Sequence, residues 1–471
     1  MDTKLLRQKI LDLAIHGKLV PQDPNDEPAS VLLERIMAEK ERLIKEGKIK
    51  APKKSKSSDT SHYEKIEGPF EIPESWEWTT MNFCNLYKSA TSNPFLYPEQ
   101  DFELYSVPTF DTGMPEFVKG QDVSSSKKVV ERGDVLLCKI NPHLNRVWLV
   151  SQHTEFDCIA SSEWIIFRNK EFDASYLIYC FQSPYFKDLM LSNVSGVGGS
   201  LTRAQPESVG KYLFPVPPVQ EQKKISTALD ALFSLINEID YGKNCLKNKI
   251  YSAKSMILSL AISGKLVPQD PSDEPAIELL KRINPDFKPC DNSHYPFEIP
   301  DNWSLSTFGQ LNNHQSKTIN PLSEPEKTFE LYSVPIFETG KPEILKGIEI
   351  GSTKQLVHKG EVLVCKINPH LNRVWVVEHY NTQMDCIASS EWIVFQHPAL
   401  LPKYALLYFQ SPYFRERLMS NVSGVGGSLM RARPSAVDGY ILPIPPINEQ
   451  RRIVQAVDKL LDNLSSIGNF L

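Results

Sequence analysis

Apolar residues recur at alternating steps of four and three along a proline-free stretch from residue 219 to residue 267. This spacing is the a/d pattern of a coiled-coil helix, so we predict one helix of about 40 residues, roughly 60 Å long. A seam of this length must be buried against a partner. The predicted seam consists of Ile225, Leu229, Leu232, Ile236, Ile239, Leu246, Ile250, Ala253, Ile257 and Leu260.

The two ends of the chain repeat the two halves of this seam. The C-terminal segment repeats the first half and the N-terminal segment repeats the second, through Ile453, Val457, Leu460, Leu464 and Ile467 and through Leu6, Ile10 and Leu13. We therefore expect these two segments to form a composite second arm that pairs antiparallel with the central helix, which gives an internal two-fold axis. Two long helices packed on separate domains are the alternative.

Between the helical segments the chain carries one domain twice. The run "CKINPHLNRVW" occurs at 138–148 and again at 365–375, and "DCIASSEWIIF" at 157–167 returns as "DCIASSEWIVF" at 385–395. The repeated unit spans about 150 residues, whereas solenoid repeats have about 20–50 residues. The repeat therefore indicates a duplicated domain.

Local patterns within each copy predict a mixed α+β domain. Short β-rich runs follow a Gly-Asp or Gly-Glu turn, and "EWIIF" is also typical of a strand, whereas "SYLIYCFQSPYFKDLMLS" predicts helix interrupted at its proline. The predicted segments are an N-terminal helix and linker at 1–60, a first domain at 61–218, a central helix and linker at 219–290, a second domain at 291–446 and a C-terminal helix at 447–471.

Composition favours an intracellular protein. The chain has 471 residues and a net charge of -5, and its amphipathic start lacks the apolar core of a signal peptide. No apolar run approaches the ~20 residues that a membrane span needs. Eight cysteines include no Cys-x-x-Cys pair, so we expect a cytoplasmic protein with free thiols and no membrane contact. Cys138 and Cys365 are expected to be buried as small hydrophobic residues.

The sequence contains no recognisable catalytic motif. It has no Gly-x-x-x-x-Gly-Lys phosphate loop, and "SGVGGS" has no lysine. "NPHL" shares only its first two letters with the Asn-Pro-Pro-Tyr motif of amino-methyltransferases. The histidines of this loop have no evident metal or nucleophile partner. We therefore expect no catalysis, no metal and no cofactor in this chain.

Two loops present in both domains instead have the composition of a DNA-binding surface. Arginine binds guanine, asparagine binds adenine, and lysine or serine binds phosphates. Solvated, capped turns are the alternative role for these residues. Trp148 and Trp375, which follow the first loop, are expected to pack in the core. The candidate DNA-binding residues are Lys139, Asn141, His143, Asn145, Arg146, Ser200 and Arg203, with Lys366, Asn368, His370, Asn372, Arg373, Ser428 and Arg431 in the second copy.

The complete arrangement resembles the specificity (S) subunit of Type I restriction-modification enzymes. Each domain ends in Pro-Pro-x-x-Glu-Gln before a helix, at 217–222 and at 445–450, and "LAIHGKLVPQDP" and "LAISGKLVPQDP" resemble the family's stretch after the helix. The resemblance implies two target recognition domains, each of which reads half of a bipartite double-stranded DNA site. It also implies that the helices set the spacing and dock two methyltransferase (M) subunits, and that motor-nuclease (R) subunits join them. S-adenosylmethionine, ATP and Mg would then belong to those partners.

Three other interpretations stay open from the sequence. A stand-alone DNA-binding regulator would bind its site without partners, although the negative net charge disfavours it. A fused restriction enzyme would need a site of its own, and a scaffold would only pair other proteins. Family members usually carry two different target domains, whereas these two are identical at most positions between 103 and 150. The near-identity predicts an interrupted palindrome as the DNA site.

Overall fold

The computed structural model describes residues 2–49, 66–196, 201–291, 295–424 and 430–469. The chain divides into two units, Met1–Gly242 and Lys243–Leu471. The division falls within one long helix, so that each unit contains one repeated domain together with helical segments on both sides of it. The two units are described separately below.

Helices frame each repeated domain and also pack inside it. In the first unit they are α1 (Thr3–Ile15), α2 (Ala29–Lys45), α3 (Met81–Cys84), α4 (Ala174–Gln182), α5 (Pro184–Ser192), α6 (Pro206–Val209) and the first part of α7 (Val219–Ile262). In the second unit they are the rest of α7, α8 (Ala276–Ile283), α9 (Phe308–Leu311), α10 (Pro402–Gln410), α11 (Pro412–Ser420), α12 (Pro434–Val437) and α13 (Ile447–Gly468).

The strands of the first unit form a five-stranded sheet ordered β2-β5-β8-β3-β4, a three-stranded sheet ordered β7-β6-β9, and the pairs β1-β12 and β10-β11. Only β3 and β8 pair in parallel among these described strands. The strands are β1 (Glu77–Thr80), β2 (Thr91–Ser92), β3 (Asp101–Tyr105), β4 (Glu116–Lys119), β5 (Lys127–Val129), β6 (Val135–Cys138), β7 (Val147–Leu149), β8 (Asp157–Ala160), β9 (Trp164–Phe167), β10 (Val194–Ser195), β11 (Arg203–Ala204) and β12 (Leu213–Val216).

The second unit has the same topology strand for strand: β14-β17-β20-β15-β16, β19-β18-β21, β13-β24 and β22-β23. The predicted mixed α+β class, with two repeated domains and a long helix, is confirmed. The strands are β13 (Ser304–Thr307), β14 (Thr318–Ile319), β15 (Thr328–Tyr332), β16 (Glu343–Lys346), β17 (Lys354–Val357), β18 (Val362–Cys365), β19 (Val374–Val376), β20 (Asp385–Ala388), β21 (Trp392–Phe395), β22 (Val422–Ser423), β23 (Arg431–Ala432) and β24 (Ile441–Ile444).

A proline breaks the helical stretch of each domain where the sequence predicts a break. Ser183 ends α4 in an extended conformation, and its hydroxyl accepts a hydrogen bond from the backbone N–H of Phe186. Pro184 then begins α5, where its missing N–H costs nothing because the first helical positions lack acceptors. Ser411 and Pro412 repeat this arrangement between α10 and α11. After the break the two helices pack differently: α4 packs on β6 and β7 of the three-stranded sheet, whereas α5 packs on the turn Pro142–Leu144.

The helical segments of the first unit share one core with its domain. Ile10 and Ala14 of α1 are buried in the same cluster as Ile225 and Leu229 of α7. Arg7 donates a 2.6 Å hydrogen bond to Asn237, whereas Gln22, beyond the end of α1, contacts Glu221. The two segments therefore run in opposite directions within this unit.

The second unit repeats this packing with the other pieces of the seam. Leu258 and Ala261, near the end of α7, are buried in one cluster with Ile453 and Val457 of α13. Because these two pairs of segments occupy equivalent places, the two ends of the chain do supply the missing halves of the helical repeat. The two-fold axis between the units stays a prediction.

Two details differ from the sequence-based expectation. The N-terminal linker contains α2, whose Leu32, Leu33 and Ile36 are buried, so this segment is part of the core. The middle of the predicted seam is open: Ile239 is 38% and Leu246 36% exposed. The heptad pattern therefore marks buried packing at the start of α7. Near the end of α7 the buried residues are Leu258, Ala261 and Ile262, whereas the predicted seam residues Ile257 and Leu260 are only partly buried. Near the centre of α7 the apolar side chains are accessible.

Candidate nucleic-acid interface

The two loops predicted to bind DNA lie side by side in the first unit. Ile140 and Arg203 form an antiparallel bridge. The backbone N–H of Asn141 donates to the carbonyl of Thr202 at 2.8 Å, and that of Ala204 donates to the carbonyl of Lys139 at 2.8 Å. Residues that are some 60 positions apart in sequence thus form one surface. The second unit repeats these contacts between Ile367 and Arg431, Asn368 and Met430, and Ala432 and Lys366.

Asparagines give the first loop its shape. Asn141 and Asn145 flank a single helical turn, Pro142–Leu144, and both have left-handed backbone with φ of 47° and 49°. Asparagine tolerates this conformation better than most residues with a side chain. The amide of Asn145 also donates to the carbonyl of Gln182 at 2.8 Å. Asn145 therefore fixes the loop onto α4, and its contact with DNA stays a prediction.

The second copy has the same asparagine geometry. Asn368 and Asn372 have φ of 47° and 46°, and the amide of Asn372 donates to the carbonyl of Gln410 at 3.0 Å. The tip between the asparagines is exposed in both copies. The accessible tip residues are His143 and Leu144 in the first unit and His370 and Leu371 in the second.

The predicted arginines differ in how freely they reach solvent. The side chains of Arg203 and Arg431 are 50% and 54% exposed. Arg146 lies against Cys138, whose pKa is raised by burial although the guanidinium acts in the opposite direction. The Nε atom of Arg373 is buried without a hydrogen-bond partner among the described residues. The geometry thus makes Arg203 and Arg431 the most accessible cations of this surface.

The remaining candidates have different positions. Lys139 donates to the carbonyl of Ser162 at 3.0 Å, and its ammonium lies 3.7 Å from Glu163. Ser200 and Ser428 lie outside the described residues. The hairpin β10-β11 that carries the second loop needs Gly196, because its φ is 85° and a Cβ there would lie 2.4 Å from the carbonyl oxygen of Leu201.

Several predictions about the core around this surface are confirmed. Trp148 and Trp375 are buried, and Cys138 and Cys365 are buried free cysteines. Glu163 and its counterpart Glu391 were not predicted from the sequence, although they lie beside Arg203 and Arg431 at 3.5 Å and 3.0 Å. The exact repetition of "ASSEW" in both domains was the available signal.

The Pro-Pro-x-x-Glu-Gln motif forms the neck between each domain and its helix. Glu221 is 1% exposed and accepts hydrogen bonds from the indole of Trp76 at 2.9 Å and from Gln22 at 2.6 Å. Gln222 accepts from the backbone N–H of Asp173 and donates to the carbonyl of Pro217. Because β1 and β12 also pair here, the chain enters and leaves the domain at one fixed point.

The neck of the second unit is built in the same way. Glu449 accepts from Trp303 at 2.9 Å and from Gln269 at 2.5 Å, and Gln450 contacts Leu401 and Ala399. Burial raises the pKa of Glu221 and of Glu449, although the hydrogen bonds from tryptophan and glutamine oppose that effect. The motif is therefore a buried joint between the domain and the helix.

Two further features are absent from the part of the chain that the structure describes. Among the described residues, no group of three or more His, Cys, Asp or Glu side chains could hold a metal ion. No helix within the described ranges is both long enough and apolar enough to cross a membrane.

The sequence is similar to those of several Type I restriction enzyme specificity subunits. The Type I restriction enzyme EcoEI specificity subunit of Escherichia coli is 27% identical, over 98% of this chain and 90% of its own length. The EcoAI specificity subunit of Escherichia coli is 32% identical, over 66% of this chain and 62% of its own length. No family model matches the sequence.

A shared fold is also found among solved structures. A chain from a structure that concerns complex assembly and conformational transition of the type I restriction-modification system superimposes with a TM-score of 0.60. The alignment covers 85% of this chain and 94% of that chain at 18% identity.

Proposed function

We propose that this chain is a Type I restriction enzyme specificity subunit, like the relatives that it resembles, and that it directs its restriction-modification complex to one bipartite sequence of double-stranded DNA. It performs no catalysis itself. The observation that carries the proposal is the adjacent pair of loops at 139–146 and 202–204, which recurs with the same hydrogen bonds at 366–373 and 430–432.

Each domain is proposed to read one half of the site through this pair of loops. Arg203 and Arg431 supply the most accessible cations, and the exposed tips at His143 and His370 supply further donors and acceptors. Arginine donors match the O6 and N7 acceptors of guanine in the major groove, and lysine and histidine can contact phosphates. The composition of the loops therefore fits both base and phosphate contacts.

The helices are proposed to set the spacing and to dock two methyltransferase subunits, with motor-nuclease subunits joining to complete the restriction enzyme. The accessible apolar side chains near the middle of α7, such as Ile239 and Leu246, support a docking role because apolar patches favour protein contacts. S-adenosylmethionine, ATP and Mg would be held by the partners. A cytoplasmic location follows from the proposed work on DNA within the cell.

The two domains are expected to read the same bases on opposite strands. Their loops share "CKINPHLNRVW" and "SNVSGVGGSL". A pseudo-two-fold relation would then make the site an interrupted palindrome, with half-site centres about one helical turn, or 10–10.5 base pairs, apart. The two copies differ at some loop positions, and these differences could break the symmetry at one or two base pairs. The differing pairs are Thr202 and Met430, and Gln205 and Arg433.

Selection from a random DNA library tests the proposal directly. Two samples are compared: the purified chain alone, and the chain assembled with its methyltransferase subunits. The DNA bound by each sample is sequenced after several rounds of selection. We expect one enriched bipartite sequence with the assembled complex. Enrichment of no sequence would overturn the proposal, whereas equally tight and specific binding by the chain alone would favour a stand-alone regulator.

A further inference from the structure

In each domain a glutamate outside the predicted DNA-binding set lies beside the accessible arginine of the loop surface. Oε1 of Glu163 lies 3.5 Å from Nη2 of Arg203, and its Oε2 lies 3.7 Å from the ammonium of Lys139. In the second unit, Oε1 of Glu391 accepts a 3.0 Å hydrogen bond from Nη2 of Arg431. The glutamates are about one quarter exposed, half as much as the arginines.

The backbone of each glutamate is fixed to the reading loop. The N–H of Lys139 donates to the carbonyl of Glu163 at 3.0 Å, and the N–H of Glu163 donates to the hydroxyl of Ser161 at 3.3 Å. The next residue, Trp164, is buried and donates its indole N–H to the carbonyl of Tyr105. Equivalent bonds join Lys366 to Glu391, Glu391 to Ser389, and Trp392 to Tyr332. The backbone that carries each carboxylate is therefore held in place by hydrogen bonds and by the buried tryptophan beside it.

Within the described part of the chain, one oxygen of each carboxylate has no hydrogen-bond partner. Oε2 of Glu163 and Oε2 of Glu391 are buried and have no hydrogen-bond partner among the described residues. The 3.7 Å approach of Lys139 is an ion-pair distance and too long for a hydrogen bond. Buried unpaired polar atoms are rare in folded proteins and costly, and a carboxylate at a DNA-binding surface also repels phosphates. Both copies nevertheless carry this glutamate.

We propose that Glu163 and Glu391 are positioning residues that aim Arg203 and Arg431 at a base edge and keep them off the phosphates. This role rests on the proposed function. Of the nitrogens in each guanidinium, only Nη2 contacts the carboxylate within the described residues. The donors on the other guanidinium nitrogens therefore remain available to DNA. A guanidinium has five N–H donors, and two suffice for the paired contact with guanine O6 and N7.

The charge of the glutamate also provides selectivity. An arginine at a surface binds any phosphate, whereas an arginine held by a carboxylate has part of its charge neutralised. Compared with an unpaired arginine, the arginine paired with glutamate therefore binds a base edge almost as well and binds the DNA backbone more weakly. Specificity is a difference between two affinities, so weaker backbone binding raises it.

The test compares Glu163→Gln with Glu391→Gln in the complete complex with its methyltransferase subunits. Affinities are measured for the selected site, for every single-base change of it and for unrelated DNA, at several salt concentrations. We expect Glu163→Gln to lower discrimination about tenfold at one base pair of one half-site. Binding to unrelated DNA should be unchanged or tighter. Glu391→Gln should do the same in the other half-site.

Three further variants separate positioning from a general effect. Arg203→Lys keeps the charge but loses the paired donors, so it should lower discrimination at the same base pair, and Glu163→Gln should then add nothing to it. Glu155→Gln changes an exposed glutamate of the same domain and should leave every affinity as it is. Thermal unfolding of each variant checks that its domains remain folded.

Two results would overturn the positioning role. If the wild-type complex discriminated between bases and both glutamine variants discriminated equally well at every position, only this role would be overturned. If the wild-type complex preferred no sequence, the proposed function would be overturned together with it.

Discussion

The indole nitrogen of Trp76 donates a 2.9 Å hydrogen bond to the carboxylate of Glu221, which lies 145 residues further along the chain. Trp303 and Glu449 make the same 2.9 Å bond in the second unit. Each bond ties the start of a repeated domain to the helix that leaves it. The neck is therefore held by side chains as well as by the paired strands β1 and β12.

Loss of the tryptophan donor should weaken the first unit. Trp76→Phe removes one of the two described hydrogen-bond donors to a buried carboxylate, which should cost about 1–3 kcal/mol of unfolding free energy. The matched control is Trp148→Phe, since Trp148 is also buried but its indole donates no hydrogen bond within the described residues. Urea unfolding measures both variants. An equal loss in the two variants would show that the bond to Glu221 contributes nothing beyond packing.

The neck glutamates should make stability depend on pH in a defined direction. Burial raises the pKa of Glu221 and Glu449 above the ordinary value of 4.5. The folded state therefore binds more protons than the unfolded state above about pH 4.5. The stability contributed by protonation is fully present below that pH and is lost as pH rises through the folded pKa.

The double variant Glu221→Gln/Glu449→Gln isolates this contribution, because glutamine does not titrate. The unfolding free energy of the wild type minus that of the variant should fall as pH rises from about 4.5 toward neutrality. Urea unfolding at a series of pH values measures this difference. A difference that stays constant over the range would mean that the folded pKa of these groups is not raised.

The length of α7 should set the distance between half-sites. Gly242 is an exposed residue within α7, so a seven-residue insertion at this point lengthens the helix without replacing a buried residue. One heptad adds roughly 10 Å, which corresponds to about three base pairs at 3.4 Å each. Sequencing of the methylated sites should show unchanged half-sites with a longer spacer, or the complex should fail to assemble. An active complex with an unchanged spacer would refute the spacing role.

The half-buried arginines of the first loop should also contribute to DNA binding. Arg146→Ala with Arg373→Ala should weaken binding to the site without unfolding the domains. If they read bases, each should cost about 1–3 kcal/mol of discrimination; if they hold phosphates, affinity for all DNA and its salt dependence should fall together. Arg132→Ala, at an exposed position away from the loop, is the control. Unchanged binding by the folded double variant would remove these arginines from the interface.

The elements that follow from local pattern were predictable from the sequence. The heptad spacing gave α7, which runs from Val219 to Ile262, and the internal proline gave the break between α4 and α5. Repetition gave the duplicated domain, because two copies of one sequence adopt one topology. The helix α2 was missed, since its short apolar run in a charged segment resembles a linker until the core it joins is known.

Side-chain partners could not be predicted in the same way. Asp134 and Glu361 occupy equivalent buried positions, but Asp134 pairs with Arg168 at 2.6 Å whereas Glu361 pairs with His314 at 2.8 Å. These partners come from different strands and loops, and local spacing does not encode such long-range pairing. For the same reason the sequence identified the arginines of the candidate surface and missed the glutamates beside them.

Sequencing of methylated DNA from cells that carry the complete system, with and without this chain, shows whether the chain selects the DNA site. The proposed function predicts that methylation at one bipartite motif depends on the chain. It also predicts that the two half-sites of that motif are reverse complements of each other around an unspecified spacer. Two unrelated half-sites would contradict the claim that the duplicated loops read the bases, and methylation that persists without the chain would contradict its role in specificity.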